Sequence, residues 1–429
     1  MPRALAVVLL FALCATEAFQ LQSPLIQAQD RDSITTETVT QPMEATANSS
    51  LETFERRILP ILRAQKPSSC VECHLSGVDL KDYIHPDQGK TFASLVRAGM
   101  VDVKEPDKSK ILEFIARKPK QSSLISDKIR QEEYEAFRAW LKAAIADPQL
   151  LAAKDAEKLL EPKVSIEVIR HARKDRVLAS FTDNIWNEVG RCAACHSPDR
   201  NQKQVEKHGE QVSWIKLGDP EGTLNYVLGA GLIDREAPEK SLLLTKPTKQ
   251  VEHGGGQKMV IGDRSYKQFR RFIDDYAAVV NGKYKSAMEL PSQSDEVSIV
   301  SEIWLKLTDV PAEFDTMLLQ VDVHRWEGNG WSKARWATSD RPVFGKGQVW
   351  QHSLSLTAPR RTGRAEEIGK NLSLPRGRYL IRVYLDRTAR LKKDFRVEMG
   401  QDEFVGEIEL QSNWPSGYGQ MTVVPFPRK

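Results

Sequence analysis

Cysteine is scarce in this chain: only five of its 429 residues are cysteine, too few for a disulfide framework to hold the fold together. An excess of one charge is also lacking, because 62 basic residues face 58 acidic ones and leave a net charge of +4. That balance argues against nucleic-acid binding, which needs a clustered basic surface. After the first twenty residues, no apolar run approaches the ~20 residues of a membrane-spanning helix. What remains is a globular chain, 40% hydrophobic and long enough for about three domains.

The N-terminus has the pattern of a secretory signal peptide, residues 1–18. Arg3 precedes the apolar stretch Ala4–Ala15, and the small residues Thr16 and Ala18 suit cleavage by signal peptidase. Residues 19–50 are rich in Gln, Thr and Ser without a hydrophobic period, which predicts a disordered tether. We therefore expect an exported, periplasmic protein without a transmembrane segment in its mature form.

The chain contains two copies of one segment. Ala98–Leu112 (AGMVDVKEPDKSKIL) matches Ala230–Leu244 (AGLIDREAPEKSLLL) at an offset of 132 residues. Tyr134–Leu141 matches Tyr266–Ile273 at the same offset, and both stretches repeat their apolar residues at helical spacing. The pattern predicts two helical modules, 51–147 and 175–285, joined by a helical connector, 148–174.

Beyond a polar linker, the apolar period changes from helical spacing to alternation. Ser298–Leu307 and Arg378–Asp386 alternate like strands, and turn signals containing glycine recur between them. Six of the nine tryptophans lie in this part of the chain: Trp304, Trp326, Trp331, Trp336, Trp350 and Trp414. These features predict an antiparallel β-sandwich over residues 296–429.

Each predicted module contains one copy of the motif C-x-x-C-H. The two copies are Cys70-Val-Glu-Cys73-His74 and Cys192-Ala-Ala-Cys195-His196. This spacing is the attachment site of c-type haem, in which two thiols bond one porphyrin and the adjacent imidazole binds its iron. The sequence therefore predicts two covalent haem c groups, with His74 and His196 as iron ligands.

Two other interpretations of the cysteines are weaker. A Cys₄ zinc site would require the two pairs to meet across the repeats, and it would leave both histidines unexplained. A redox-active C-x-x-C pair normally begins the helix of a thioredoxin-type βαβ unit, and no such pattern surrounds these cysteines.

The motifs resemble those of a known group of proteins. The strings RCAACHSPDRN, HGGGQKM and YKQFRRFIDDYA are similar to segments of the exported cytochrome c-type proteins of planctomycete bacteria. The resemblance spans residues 51–285 and implies two small all-α cytochrome c-like modules. The C-terminal strings GRYLIRVYLDR and NWPSGYGQMTVV resemble tails of the same proteins. The expected fold class is therefore multidomain, with two all-α cytochrome c-like modules followed by an all-β, sandwich-like domain.

The second module offers a sixth ligand for its haem iron. His253 precedes three glycines and stands on the loop before the last helix, where small cytochromes c place this ligand. Glycines there would allow the backbone to approach the haem closely. His253 is the favoured ligand, and Met259 is the second choice.

The first module has no histidine at the equivalent position, which is Gln121. Met100 is its candidate ligand, although the corresponding Leu232 of the other copy suggests a core position. His85 and Lys120 are further candidates. The first haem is therefore expected either to lack a sixth ligand or to bind a weaker one.

Three functions fit this sequence. The favoured one is electron transfer between exported redox partner proteins, without catalysis. A dihaem peroxidase with an open first haem is the enzymatic alternative. The third is a binding protein whose β domain docks a carbohydrate or protein, with Trp326, Trp331, Trp336 and Trp350 as an aromatic platform, although tryptophans in a sandwich more often belong to the core.

Overall fold

The computed structural model describes residues 47–63, 68, 70, 85–118, 124–153, 165–198, 200–344 and 348–427. The predicted signal peptide, nearly all of the predicted tether, and the residues Cys73, His74, Lys120 and Gln121 lie outside the described residues. Among the residues that are described, no helix is both long and apolar enough to cross a membrane.

In the described part of the chain, all but two of the α-helices lie before residue 290. The two exceptions are short and lie in the C-terminal part. The α-helices are Ala47–Thr53, Leu59–Arg63, Gln88–Arg97, Lys110–Ala116, Leu124–Ala146, Pro148–Ala153, Ile166–His171, Lys174–Phe181, Gly190–His196, Gln202–His208, Pro220–Gly229, Leu242–Thr245, Arg264–Val280, Gly363–Lys370 and Arg390–Lys393. π-Helical turns lie at Phe54–Ile58 and Thr182–Trp186, ahead of the two C-x-x-C-H motifs. In each copy of the repeat, a π-turn follows the α-helix at its start, and the longest described helix lies at its end.

The two repeats share a turn with the same hydrogen bonds. In the first copy, the Asp102 amide donates to the Ser109 hydroxyl at 3.0 Å, and the Asp102 carboxylate accepts from the Lys104 amide at 2.8 Å. The second copy has the same bonds at Asp234, which lies 132 residues later: its amide donates to Ser241 at 3.0 Å, and its carboxylate accepts from Glu236. The sequence repeat is therefore a structural repeat.

Each repeat has its own aromatic core. In the first, Trp140 of the last helix is fully buried and contacts the rings of Phe54, Phe92 and Phe137 at centre distances of 5.3–6.3 Å. In the second, Phe272 of the last helix contacts Phe181 at 5.4 Å. The helical spacing of the sequence identified these faces, because the residues that recur there are the buried ones.

The C-terminal part is a single curled sheet of seven strands. They are β1 (Glu296–Thr308), β2 (Leu318–Arg325), β3 (Ala337–Pro342), β4 (Val349–Pro359), β5 (Gly377–Leu385), β6 (Phe404–Ser412) and β7 (Thr422–Pro425), in the spatial order β6-β5-β2-β3-β4-β1-β7. All neighbours pair antiparallel except β1 and β7, which are parallel. The edge strands approach each other, with the Ser412 and Thr422 hydroxyls 3.4 Å apart, so the sheet is a nearly closed barrel.

The predicted fold class is wrong in both of its parts. A sandwich has two sheets, whereas this sheet curls on itself, and its inward side chains from β1, β2, β4 and β5 form one core. Both arrangements bury alternate residues, so the alternation in the sequence could not distinguish them. The helices are not two small cytochrome c modules either, because the second repeat does not form a separate unit and packs directly on the sheet.

The contact between the second repeat and the sheet is close at Gly190, the first residue of the helix that carries Cys192, Cys195 and His196. A Cβ atom at this glycine would lie 2.8 Å from Cγ1 of Val300 on β1. The Val300 amide also donates to the Asn187 carbonyl at 2.9 Å, just where the pairing of β1 with β4 shifts register. The motif-bearing helix is therefore fixed against β1.

We expect Gly190→Ala to lower the free energy of unfolding by about 1–2 kcal/mol, because an added methyl overpacks this contact. Urea denaturation of the full chain measures the loss. Gly229→Ala is the matched control, since Gly229 also lies in a helix and a Cβ there would meet nothing within 4 Å. The double variant Gly190→Ala/Val300→Ala should recover stability relative to Gly190→Ala. Equal stability of the two single variants would contradict the proposed contact.

Candidate functional site

The second C-x-x-C-H motif forms the helix Gly190–His196 and is held by the segment that follows it. The Asn201 side chain, which is buried, donates to the Cys195 carbonyl at 2.8 Å. The Ile215 amide donates to the His196 carbonyl at 2.9 Å, and the Trp214 ring lies 5.6 Å from the His196 ring. The chain thus folds back from residue 201 to residue 215 and encloses the end of the motif.

His196 and His253 face each other in this structure. Their ring centres are 6.0 Å apart and their planes are nearly parallel, at 7°. A metal–imidazole bond is about 2 Å long and the ring centre lies about 1 Å beyond the nitrogen, so two imidazoles on opposite sides of one ion would have centres about 6 Å apart. Among the sequence-predicted ligands, this pair is brought together at ligand spacing.

The hydrogen bonds of both rings leave the same nitrogen available. His196 Nδ1 lies 2.8 Å from the Val212 carbonyl, and His253 Nδ1 lies 2.8 Å from the Gly256 carbonyl. A carbonyl oxygen can only accept, so each Nδ1 carries the proton and each Nε2 keeps its lone pair. Burial lowers the pKa of His196, and the nearby His253 lowers it further, which favours the neutral imidazole that a metal needs.

Glycine is required next to the His253 ring. A Cβ atom at Gly255 would lie 3.1 Å from His253 Cε1 and 3.3 Å from Nε2, the edge of the ring that would bind a metal. Gly256, whose carbonyl accepts from Nδ1, has a φ of +70°, a conformation that side chains other than glycine's disfavour. The placement of the His253 imidazole therefore explains the second and third glycines of the HGGG sequence, Gly255 and Gly256.

The first thiol of the second motif, Cys192, is not activated. No disulfide joins Cys192 and Cys195, and burial raises the pKa of the Cys192 thiol to about 11. Nucleophilic and redox-active C-x-x-C cysteines have a lowered pKa instead. The pair therefore does not have the electrostatic environment of a thiol–disulfide oxidoreductase.

The other candidate ligands occupy less suitable positions. Met259 is 4% exposed and belongs to the core of the second repeat. Met100 packs against the core of the first repeat, as its counterpart Leu232 does in the second. His85 Nδ1 accepts from the Asp87 amide at 2.9 Å, so its Nε2 carries the proton and has no lone pair for a metal.

Only part of the first motif is described. Cys70 is half-buried, and its amide donates to the Ser68 hydroxyl at 3.2 Å. Its partners Cys73 and His74 lie outside the described residues, so the structure places no ligand pair in this repeat. Within the described ranges there is also no cluster of three or more His, Cys, Asp or Glu suited to a metal ion, whereas a haem iron takes only two ligands from the protein.

The tryptophans of the sheet do not form an open aromatic platform. Trp350 is fully buried, and the Trp336 ring lies between the guanidinium groups of Arg325 and Arg364, at 4.8 and 3.4 Å from its centre. The Trp326 and Trp331 rings are both covered by Arg378. Cation–π contacts thus already cover a face of each of these three rings, where a sugar would otherwise stack.

A buried polar network joins the second motif to the sheet, and sequence reasoning missed it. Arg191, between Gly190 and Cys192, donates to Ser353 and Ser355 of β4 at 3.3 Å each, and to Ser265 at 3.2 Å. Glu188, which is 2% exposed, accepts from the Ser265 hydroxyl at 2.9 Å and lies 3.8 Å from Arg191. Arg191 stands 162 positions from Ser353, so no local pattern could have indicated the contact.

Two buried carboxyl groups meet beside this network. Asp340 of β3 accepts from the Arg264 amide at 2.7 Å, and Asp263 caps the same helix by accepting from the Tyr266 amide at 2.8 Å. Burial raises the pKa of Asp340 to about 6, and burial together with the Asp340 charge raises the pKa of Asp263 well above its usual range. At neutral pH the folded chain therefore holds two carboxyl groups in unfavourable surroundings.

This arrangement predicts that stability falls as pH rises from 4 to 7. The folded chain keeps the Asp340 proton up to about pH 6, whereas the unfolded chain releases it near the usual value of 3.8, so the stabilisation is full below that value and is lost through pH 6. Asp340→Asn keeps an acceptor for Arg264 and removes the charge, so we expect about 1–2 kcal/mol of added stability at pH 8 and little change at pH 4. Urea titrations at both pH values test this, and a difference between the proteins that is independent of pH would contradict it.

Comparison of the chain with protein-family models, with curated proteins and with solved structures finds no match in any of the three.

Proposed function

We propose that this protein is an exported c-type haem protein that carries two covalent haem groups and transfers electrons between redox partner proteins. The observation that supports it best is the pairing of His196 with His253: two parallel imidazoles at ligand spacing, both with Nε2 free, directly beside a C-x-x-C-H motif. The first C-x-x-C-H motif, at residues 70–74, predicts that the first repeat binds haem too.

The second repeat supplies the two thiols and the two imidazoles that a c-type haem would use. Cys192 and Cys195 lie within the helix Gly190–His196 and would form the two thioether bonds. His196 and His253 would bind the iron, and the Val212 and Gly256 carbonyls would hold their rings in orientation. Bound in this way, a haem supplies one-electron redox chemistry.

Electron transfer is favoured over peroxidase activity at the second repeat. With two histidines as ligands, the iron would have no open position for peroxide. Trp214 is 8% exposed and lies next to His196, so it limits the access of water to the His196 ring. The protein groups would therefore hold the iron in one coordination through both oxidation states, which is what an electron carrier requires.

The haem content of the protein tests the proposal. Full-length chain produced with a haem-ligation system should contain two covalent haems, counted as the pyridine haemochrome, because each repeat has a complete motif. Cys192→Ala/Cys195→Ala should lose one haem and keep the other, and the matched variant Cys70→Ala/Cys73→Ala should do the same at the first motif. Native protein containing zinc and no haem would refute the proposal.

A further inference from the structure

The polar cavity between the second repeat and the sheet has the features of a ligand site unrelated to the haem motif. It encloses about 430 Å³ and is lined by the helices Lys174–Phe181 and Arg264–Val280, by the segment 291–298 and by side chains of β2 and β3. That volume lies within the range of small-molecule sites, at its lower end. Most of the lining residues are polar or charged, and apolar atoms contribute the rest of the surface, so the cavity suits a ligand that carries polar groups on a carbon frame.

Most of the charged side chains in the cavity wall are already paired. Arg335 binds Glu296 at 2.9 Å, and Arg360 binds Asp183 at 2.9 Å. His171 lies 2.8 Å from Asp275, and both residues line the cavity. In the two arginine–carboxylate pairs the charges cancel, and these pairs fix part of the cavity wall.

Two arginines at the cavity are different. Arg176 and Arg271 are both exposed, and among the described residues neither side chain has a carboxylate within ion-pair distance. They come from the two helices that form one side of the cavity. An arginine fork binds a carboxylate through two parallel hydrogen bonds, so this side of the cavity suits an anionic group.

A polar group inside the cavity is also unsatisfied. Ser298 of β1 is 4% exposed and lines the cavity, yet its hydroxyl has no hydrogen-bond partner in the described structure. A buried hydroxyl without a partner is unfavourable by about 1–3 kcal/mol, and a ligand hydroxyl would remove that cost. Gln320 and Asn184 add amide groups to the same lining.

We propose that this cavity binds a small hydroxylated carboxylate of the sugar-acid type, with its carboxylate at Arg176 and Arg271 and its hydroxyls at Ser298 and the neighbouring amides. This class of ligand fits because the two arginines would bind its carboxylate, and the uncharged Ser298 hydroxyl can donate to or accept from its hydroxyl groups. It does not depend on the haem proposal, since none of these residues contacts the C-x-x-C-H motifs.

Titration calorimetry of the mature full-length chain with glucuronate, glucose and acetate tests the site. Glucuronate should bind at least about tenfold more tightly than glucose, which lacks the carboxylate, or acetate, which lacks the hydroxyls. Equal binding of glucose and glucuronate, or no binding of glucuronate, would overturn the proposal.

Two substitutions locate the binding. Arg271→Ala and Ser298→Ala should each weaken glucuronate binding by about tenfold, whereas Arg97→Ala, at an exposed position in the first repeat, should leave it unchanged. Circular dichroism confirms that each variant is folded. An equal loss in Arg97→Ala, or none in Arg271→Ala, would show that the anion binds elsewhere and would overturn the assignment.

Discussion

Replacing His253 with alanine is expected to convert the second haem from a low-spin to a high-spin form and to leave the first haem unchanged. His253 lies opposite His196 at a ring-centre distance of 6.0 Å, and alanine cannot bind the iron from that side. The low-spin signal of the second haem should therefore disappear, whatever the spin state of the first. The visible spectrum and electron paramagnetic resonance of the oxidised protein measure this change.

Controls for that experiment come from the same region. His208→Ala removes an exposed histidine whose Nε2 lies 3.9 Å from the position of a Cβ at Gly254, and it should leave the spectrum as in the parent. His253→Met should stay low-spin and shift the reduction potential upward, because methionine favours the reduced iron relative to a second imidazole. If His253→Ala kept the parent spectrum, His253 would not be a ligand.

Two features that depend only on local sequence are present in the structure, the repeated turn and the buried faces of the helices and strands. The repeated turn depends on Asp, Pro and Ser residues within a few positions of one another, so the two copies at Asp102 and Asp234 form it in the same way. Helical faces such as that of Trp140 and strand faces such as that of Ile381 follow from periodicity, since burial selects every third or fourth residue in one case and alternate residues in the other. Residues within a few positions of one another are therefore enough to predict a turn or the buried face of a single helix or strand.

The features that the sequence did not predict depend on distant parts of the chain. Alternation along β1 and β5 is the same whether the buried faces meet across two sheets or inside one curled sheet, so the sandwich and the barrel could not be told apart. The polar linker before β1 suggested separate domains. The composition of a linker, however, does not determine whether the second repeat and the sheet pack against each other. Their contact is made by Arg191 and Asp340, residues with no local signal for that role.

Arg191→Met is therefore expected to lower the free energy of unfolding by about 3 kcal/mol, the largest loss of stability that we predict. Arg191 donates to Ser353, Ser355 and Ser265 across the contact. Without it, the buried Glu188 carboxylate keeps one cationic neighbour, Arg264 at 3.5 Å. Breaking a buried charge pair is more costly than replacing both partners, because the remaining charge stays desolvated. Urea denaturation measures the loss, with Arg200→Met, at an exposed position just beyond His196, as the matched control.

The double variant Arg191→Met/Glu188→Gln separates the two causes of that loss. Glutamine removes the buried charge and can still accept from the Ser265 hydroxyl, so the double variant should be more stable than Arg191→Met alone. The same contact predicts that a fragment ending near Lys285 is less stable than the full chain, although its polar linker suggested an independent unit. If Arg191→Met were as stable as Arg200→Met, the helix that carries the motif would not depend on the sheet. The second repeat would then be an independent unit, as the linker suggested.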